Sequence, residues 1–203
     1  MKPFLFFLTA ICAIPALAAS PHSSIPVKQN LAALDYSKDG KQTGCGLRMT
    51  AETGGDLWIN ILLSVFIRES EPPIGMYKVV VKKINMLNGE PVVQDGKISY
   101  SSIGKIHQAW LKTDSGIKLQ PYTNGASAHG DGFMTSLEFL NAMDLLGTIP
   151  QERFKVGYGK NEDEPDEILE FDKHISQEEA DKLSVCMRNL RGEMLEKKRG
   201  GDF

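Results

Sequence analysis

Residues 56–68 read Asp-Leu-Trp-Ile-Asn-Ile-Leu-Leu-Ser-Val-Phe-Ile-Arg, the most apolar run of the chain beyond its N-terminal segment. The odd positions from 57 to 67 are all apolar, which is typical of the core-facing side of a β-strand. Ile59, Leu62 and Phe66 also fit helical spacing, so periodicity alone leaves a helix open. The four β-branched apolar residues of the run, the glycines before it and the prolines after it favour a strand. We therefore expect a strand around which the rest of the chain packs.

Alternating apolar residues and turn signals on both sides of this run predict further antiparallel strands. Residues 45–51 place an apolar side chain at every second position, and residues 77–86 form another strand whose lysines indicate an edge or a solvated face. The pairs Asn88-Gly89 and Asp95-Gly96 are strong hairpin signals, and residues 114–116 predict a bulged hairpin. Strands are also expected at residues 91–94, 97–103, 105–113, 117–122, 153–159 and 167–171.

Two capping-box patterns predict helices in the C-terminal third of the chain. Thr135 with Glu138 favours a helix over residues 135–146, with a strand over residues 133–139 as the alternative. Ser176 with Glu179 begins a longer amphipathic helix whose apolar residues recur at steps of three and four as far as Met194. This second helix is expected to pack on the sheet.

The expected fold is mainly β: an antiparallel β-sandwich or curved sheet with a C-terminal amphipathic helix packed on it, with an α+β arrangement as the alternative. The predicted organisation is a signal peptide at residues 1–18, a flexible segment at residues 19–41, one globular domain at residues 42–196 and a flexible tail at residues 197–203. A domain of this length is large enough to bury a substantial core.

The N-terminal segment has the pattern of a secretory signal peptide. Lys2 precedes an apolar run, and Ala16-Leu17-Ala18 forms a small-x-small site that predicts cleavage near Ala18. The alternative, a membrane anchor, would need about 20 apolar residues, and this run is shorter. The expected location is therefore periplasmic or secreted, with no membrane span in the processed chain. Loss of Lys2 moves the formal charge from −3 to −4, and the absence of a basic tract argues against a nucleic-acid partner.

Cys45 and Cys186 are the two cysteines that remain after cleavage. In an oxidising compartment they are expected to form a disulfide that joins an early strand to the last helix. Two separate buried thiols are the alternative. A redox-active pair is not favoured, because the cysteines are far from a Cys-x-x-Cys spacing.

Candidate catalytic residues are few. His129 and Asp131 on a glycine-rich loop, with His107 from a nearby strand, could provide nitrogen and carboxylate ligands for a metal ion. An ordinary polar loop is the competing interpretation, because the spacing matches no known metal motif. The sequence contains no nucleophile motif, no phosphate-binding loop and no cofactor signature, so no cofactor is predicted.

Two groups of residues are candidates for binding a partner. Trp110 and Tyr122 are expected close together on a sheet face, where an aromatic pair can serve a sugar, a peptide or a protein, or can simply be part of the core. Glu162, Asp163 and Glu164 belong to an acidic loop that can attract a basic partner or remain a solvated turn.

These observations favour an exported protein without catalytic activity that binds another protein, of the inhibitor, immunity or envelope-accessory kind. The first alternative is a small periplasmic hydrolase or metal-dependent enzyme that uses His129 and Asp131. The second is a carrier of a lipid or another small ligand, with a cavity between sheet and helix. Neither the partner nor the oligomeric state follows from the sequence.

Overall fold

The computed structural model describes residues 23–24, 26–68, 71–119, 132–160, 166–172 and 175–200. About half of these residues lie in strands, nearly all of them antiparallel, and the two helices fall in the C-terminal third, so the predicted mainly β fold is confirmed. The strands are β1 (Ser23–Ser24), β2 (Lys28–Lys38), β3 (Lys41–Glu52), β4 (Leu57–Phe66), β5 (Ile74–Ile84), β6 (Met86–Leu87), β7 (Glu90–Pro91), β8 (Val93–Gln94), β9 (Lys97–Ile98), β10 (Tyr100–Ser102), β11 (Gln108–Thr113), β12 (Gly132–Leu137), β13 (Phe154–Gly159) and β14 (Glu167–Phe171). The helices are α1 (Phe139–Thr148) and α2 (Gln177–Gly200).

The larger sheet has the strand order β10-β5-β4-β3-β2, with β12 also paired to β5. Strand β4 lies in its middle, which confirms the strand prediction for this run. Ile59, Ile61, Leu63 and Val65 are fully buried on one side of β4. The alternate residues of β4 face the opposite side, where only Ser64 is buried and the others are half-buried. We call this opposite side of the larger sheet the open face.

The smaller sheet has the strand order β1-β14-β13-β11, in which only the short β1 runs parallel to its neighbour. Its inward residues, such as Leu111, Phe154 and Phe171, join those of the larger sheet in one hydrophobic core. The rings of Phe154 and Phe171 stack with their centroids 4.8 Å apart. A hydrogen bond of 3.3 Å from the Tyr77 hydroxyl to the Trp110 carbonyl joins the two sheets.

Both helices contact the larger sheet. Helix α1 packs on β4 and β5, where a Cβ atom on Gly75 would lie 2.5 Å from the Cβ of Ala142. This contact requires glycine, because real Cβ atoms do not approach so closely. Helix α2 packs on β2 and β3 through Leu183 and Leu190. The prediction of a C-terminal helix packed on the sheet is therefore confirmed.

The disulfide between Cys45 of β3 and Cys186 of α2 is present, with the two Cα atoms 5.9 Å apart. It links positions separated by 141 residues in sequence, as predicted. Both cysteines are almost completely buried. The disulfide therefore fastens the last helix to an interior strand of the larger sheet.

The beginning of α2 also covers the edge of the larger sheet. The Glu179 carboxylate accepts a hydrogen bond of 2.6 Å from the Ala33 amide of β2, and Leu31 forms a bridge with Ile175. The Ser176 hydroxyl accepts a hydrogen bond from the Glu179 amide, which is half of the predicted capping box. The Glu179 side chain binds the edge strand instead of returning to the cap. A sheet edge covered in this way offers fewer free groups for unwanted pairing.

The predicted limits of the two flexible segments, one on each side of the globular domain, were wrong. Residues 19–41 were expected to be flexible, but Lys28–Lys38 forms the complete strand β2, which pairs with β3 through a turn at Asp39-Gly40. Both turn residues have positive φ, of 54° and 76°, which this pair adopts readily. The tail was expected to begin at residue 197, but α2 continues to Gly200.

The segment from Phe133 to Leu146, for which the sequence left helix and strand open, contains a strand followed by a helix. β12 ends at Leu137 and α1 begins at Phe139, so the preference for a helix starting at Thr135 was wrong for its first turn. The predicted cap is not formed, because Thr135 lies in the strand and the helix has no side-chain cap. The second limb of the predicted hairpin at 117–122 is also reduced, within residues 117–119, to a bridge between Lys112 and Lys118.

Candidate functional site

Of the three residues considered for a catalytic or metal site, His107 alone belongs to the described part of the chain. His107 is exposed immediately before β11, and its backbone amide donates a hydrogen bond to the Gly159 carbonyl. His129 and Asp131 lie outside the described residues, so their grouping with His107 stays a prediction. Among the described residues, no three histidine, cysteine, aspartate or glutamate side chains are close enough to hold a metal ion.

Trp110 lies half-buried on the outer face of the smaller sheet, across Gly157 of the neighbouring strand. A Cβ atom at position 157 would be 2.1 Å from the indole Cε2, so the ring fits here only because residue 157 has no side chain. The indole Nε1–H donates a hydrogen bond of 2.6 Å to Asp166 Oδ2, and Gln108 Nε2 donates one of 2.8 Å to Asp166 Oδ1. Asp166 therefore fixes the ring in one orientation.

Gly157 and Asp166 therefore hold the Trp110 ring in place, and its indole N–H is already hydrogen-bonded within the protein. Tyr122 lies outside the described residues, and so do Glu162, Asp163 and Glu164. The predicted aromatic pair and the acidic contact loop therefore stay predictions.

A second surface is formed by two short hairpins that follow β5, which we call the arm (residues 85–100). Strands β6 and β7 form the first hairpin around Asn88-Gly89, and β8 and β9 form the second around Asp95-Gly96. All four turn residues have positive φ, as in the tight turns that these pairs favour. The predicted pairing of residues 91–94 with 97–103 is therefore present around Asp95-Gly96 as the shorter strands β8 and β9, and the Asn88-Gly89 turn forms a hairpin of its own.

A hydrogen-bonded centre holds the two hairpins of the arm together. The Asn85 amide donates to the Ser99 carbonyl, the Val92 amide to the Asn85 carbonyl, and the Ser99 amide to the Val92 carbonyl, at 2.8–3.0 Å. The Asn85 side chain adds a bond of 2.9 Å to the Ser99 hydroxyl. These three residues are half-buried, whereas the rest of the arm is exposed. The arm is therefore ordered by backbone pairing instead of by a core of its own.

Large apolar side chains are concentrated on the exposed surface of the arm. Of the nine exposed large hydrophobic residues in the described part of the chain, five belong to it: Met86, Leu87, Val93, Ile98 and Tyr100. Leu87 is 67% exposed and Val93 59% exposed. Residues 85–100 contribute nothing to the buried core. Single exposed apolar residues are ordinary on a protein surface, whereas large contiguous apolar patches are typical of interaction sites.

The base of the arm continues into the open face. The Tyr100 ring lies 5.3 Å from the ring of Trp58, whose side chain belongs to that face of β4. Beside Trp58, a groove of about 630 Å³ is lined by residues of β2 and β3 that include Asn30, Thr50 and Glu52. The arm, the aromatic pair and this groove therefore form one continuous surface.

The perturbed ionisable groups have structural roles. Burial raises the pKa of Tyr77 and Tyr158, which are core residues. Hydrogen bonds from Ser115 lower the pKa of Glu152. The bonds from Lys182 and from the Ala33 amide lower that of Glu179. These carboxylates hold a loop and a sheet edge, so the shifts do not indicate a general acid or base.

No family model, curated protein or solved structure matches this chain. Its candidate sites are therefore defined by the residues and geometry of the chain alone. Among the described residues, neither helix is long and apolar enough to cross a membrane.

Proposed function

We propose that this chain is an exported binding protein without catalytic activity, which recognises another protein through the arm. The observation that carries the proposal is the group of five exposed apolar side chains on an ordered element that adds nothing to the core. Burying one such side chain contributes roughly 1.5–3 kcal/mol, so a partner that covers several of them gains substantial affinity. The inhibitor, immunity and envelope-accessory classes all work through such protein contacts.

The order of the arm supports this role. Its two tight turns and the centre at Asn85, Val92 and Ser99 hold the apolar residues in place before any partner binds. Contacts made by a pre-ordered element lose less conformational entropy on binding. Leu87 and Val93, on separate hairpins, are the most exposed apolar residues of the arm and are the expected anchors.

The disulfide supports the proposed location. Disulfides persist in oxidising compartments and are rare in the reducing cytosol. Together with the signal-peptide pattern of residues 1–18, the Cys45–Cys186 bond favours export to the periplasm or beyond.

A site-specific photo-crosslinker tests the proposal in cells of the source organism. Placed at position 87 of the arm, it should give one discrete protein adduct, identified by mass spectrometry. The matched control is position 195 on α2, because Leu195 is also apolar and is 50% exposed. Equal adduct patterns from both positions, or none from position 87, would refute recognition through the arm.

A pair of double variants checks the adduct by affinity. Leu87→Ser with Val93→Ser should abolish capture of the identified partner by the purified protein. Val185→Ser with Leu195→Ser should leave it unchanged, since these helix residues are exposed to a similar extent. Both variants should retain the melting temperature of the unmodified protein, because none of the four residues is buried.

A further inference from the structure

The open face of the larger sheet carries positive charge that the chain as a whole does not. Arg48 on β3 and Lys78 and Lys82 on β5 all project from this face. No ion pair joins any of these three to a described residue. Glu52, the carboxylate on the same face of β3, is already paired with Lys28 at 3.0 Å. The chain nevertheless has a net charge of −3. Positive charge is therefore concentrated on the open face of a chain that is negative overall.

Apolar side chains lie between these cations. The cross-strand register places Leu62 directly between Arg48 and Lys78, with Met134 beyond Lys78. Neighbouring strands are about 4.8 Å apart, so Arg48 and Lys78 are separated by roughly 10 Å across the sheet. Leu62 and Met134 are half-buried, Leu62 on the central strand β4 and Met134 on β12 beside β5. A face on which an apolar side chain lies between two cations fits an extended segment with carboxylates at positions i and i+4 and an apolar residue at i+2, because every second side chain of an extended chain points to the same side.

No described helix or strand covers the open face. The helices pack on the opposite side, as the Cys45–Cys186 bond and the contact between Gly75 and Ala142 show. The smaller sheet also lies on that side, through the Tyr77 hydrogen bond. Arg48 is exposed and Lys78 is half-buried. These cations are therefore accessible to a molecule that approaches from outside.

We infer that the open face binds an acidic, partly apolar segment of a partner protein, in an extended conformation across Arg48, Leu62 and Lys78. This inference rests on the proposed function for the presence of a protein partner, and adds the chemistry which that partner must present. The Trp58–Tyr100 pair connects the face to the arm, so one partner can contact both. The arm supplies apolar anchoring and the face supplies charge complementarity, which speeds and orients association.

An anionic membrane is the competing ligand for such a face, and the burial of the apolar residues disfavours it. The apolar residues between the cations are half-buried within the sheet, whereas membrane insertion requires protruding apolar side chains.

The test uses the purified protein and a fluorescent synthetic peptide in which glutamate and leucine alternate at every second position, with serine between them, so that both face the same side of the extended chain. Anisotropy should show binding to the unmodified protein, and Arg48→Glu with Lys78→Glu should weaken it about tenfold or more, since two attractions become repulsions. The matched control is Lys112→Glu with Arg188→Glu, which changes the net charge equally at exposed positions away from the open face. Binding should also weaken at ~1 M salt, where the screening length is about 3 Å.

Three results would overturn the inference. The first is equal weakening by both double variants, which would indicate only a response to net charge. The second is the absence of peptide binding by the unmodified protein. The third is cosedimentation with phosphatidylglycerol vesicles that Arg48→Glu with Lys78→Glu abolishes while peptide binding is unchanged. The crosslink from position 87 separates this failure from failure of the proposed function: if that adduct persists, recognition through the arm stands.

Discussion

Removing the disulfide should lower the stability of the protein mainly through its unfolded state. The bond links positions separated by 141 residues, and for a loop of this length the chain-entropy model gives about 5 kcal/mol. A domain of this size is typically stable by only about 5–15 kcal/mol. The Cys45→Ala and Cys186→Ala double variant should therefore lose a large part of its stability.

Loss of the bond should affect α2 before the rest of the fold. Within the described chain, α2 buries only Leu183, Cys186 and Leu190 completely, and burial of the two leucines contributes roughly 3–6 kcal/mol. That is similar to the expected contribution of the disulfide, so the untethered helix should detach in a local opening reaction. Amide hydrogen exchange should accelerate in α2 more than in β4.

Urea unfolding separates this mechanism from an ordinary packing defect. Without the crosslink the unfolded chain is more extended, so the double variant should have a larger m-value as well as a lower midpoint. Reduction of the unmodified protein should reproduce the effect with both sulfur atoms retained. The control Leu183→Ala should cost about 2–5 kcal/mol with an unchanged m-value. An unchanged midpoint after complete reduction, or uniform acceleration of exchange, would refute the reasoning.

Three further predictions follow from particular contacts. Gly157→Ala should destabilise the protein by about 1–3 kcal/mol, because the new methyl group would meet the Trp110 ring. In thermal melting, adding Trp110→Ala should remove most of this destabilisation. If the losses of stability from the two substitutions simply add, the prediction is contradicted. Bonds from Lys182 and the Ala33 amide lower the pKa of Glu179, so its carboxylate stabilises the fold above its ordinary pKa of 4.5 and loses this effect as pH falls through the lower folded value. The stability difference between the unmodified protein and Glu179→Gln should shrink in that acidic range when urea midpoints are compared, and a constant difference would contradict it. The double serine variant of the arm should unfold at the same urea concentration as the unmodified protein, and a clearly lower midpoint would show that the arm supports the core.

The central strand could be predicted because its pattern of apolar residues follows directly from burial of one of its sides. Ile59, Ile61 and Leu63 alternate with residues of the open face, so burial on one side of β4 leaves a period-two pattern. The cysteine count and the leader pattern predicted the disulfide in the same direct way. Strand β2 was missed because an edge strand has little to bury: Leu31 is its one completely buried residue. The Asp39-Gly40 pair was the signal that could have identified the β2–β3 hairpin.

The candidate surfaces were harder to predict because they depend on what the fold leaves uncovered. The sequence around Leu87 and Val93 predicts hairpins, but alternation cannot show that neither side of these hairpins meets the core. Likewise, Arg48 and Lys78 are 30 positions apart in the chain and become neighbours only through the β3-β4-β5 register. Trp110 lies on the outer face of a sheet, one of the two positions that the sequence left open, and its support by Gly157 and Asp166 required the pairing of β11 with β13 and the position of Asp166 beside β14. Local patterns in this chain therefore specify its elements, whereas its binding surfaces are set by strand register and by the absence of a covering layer among the described residues.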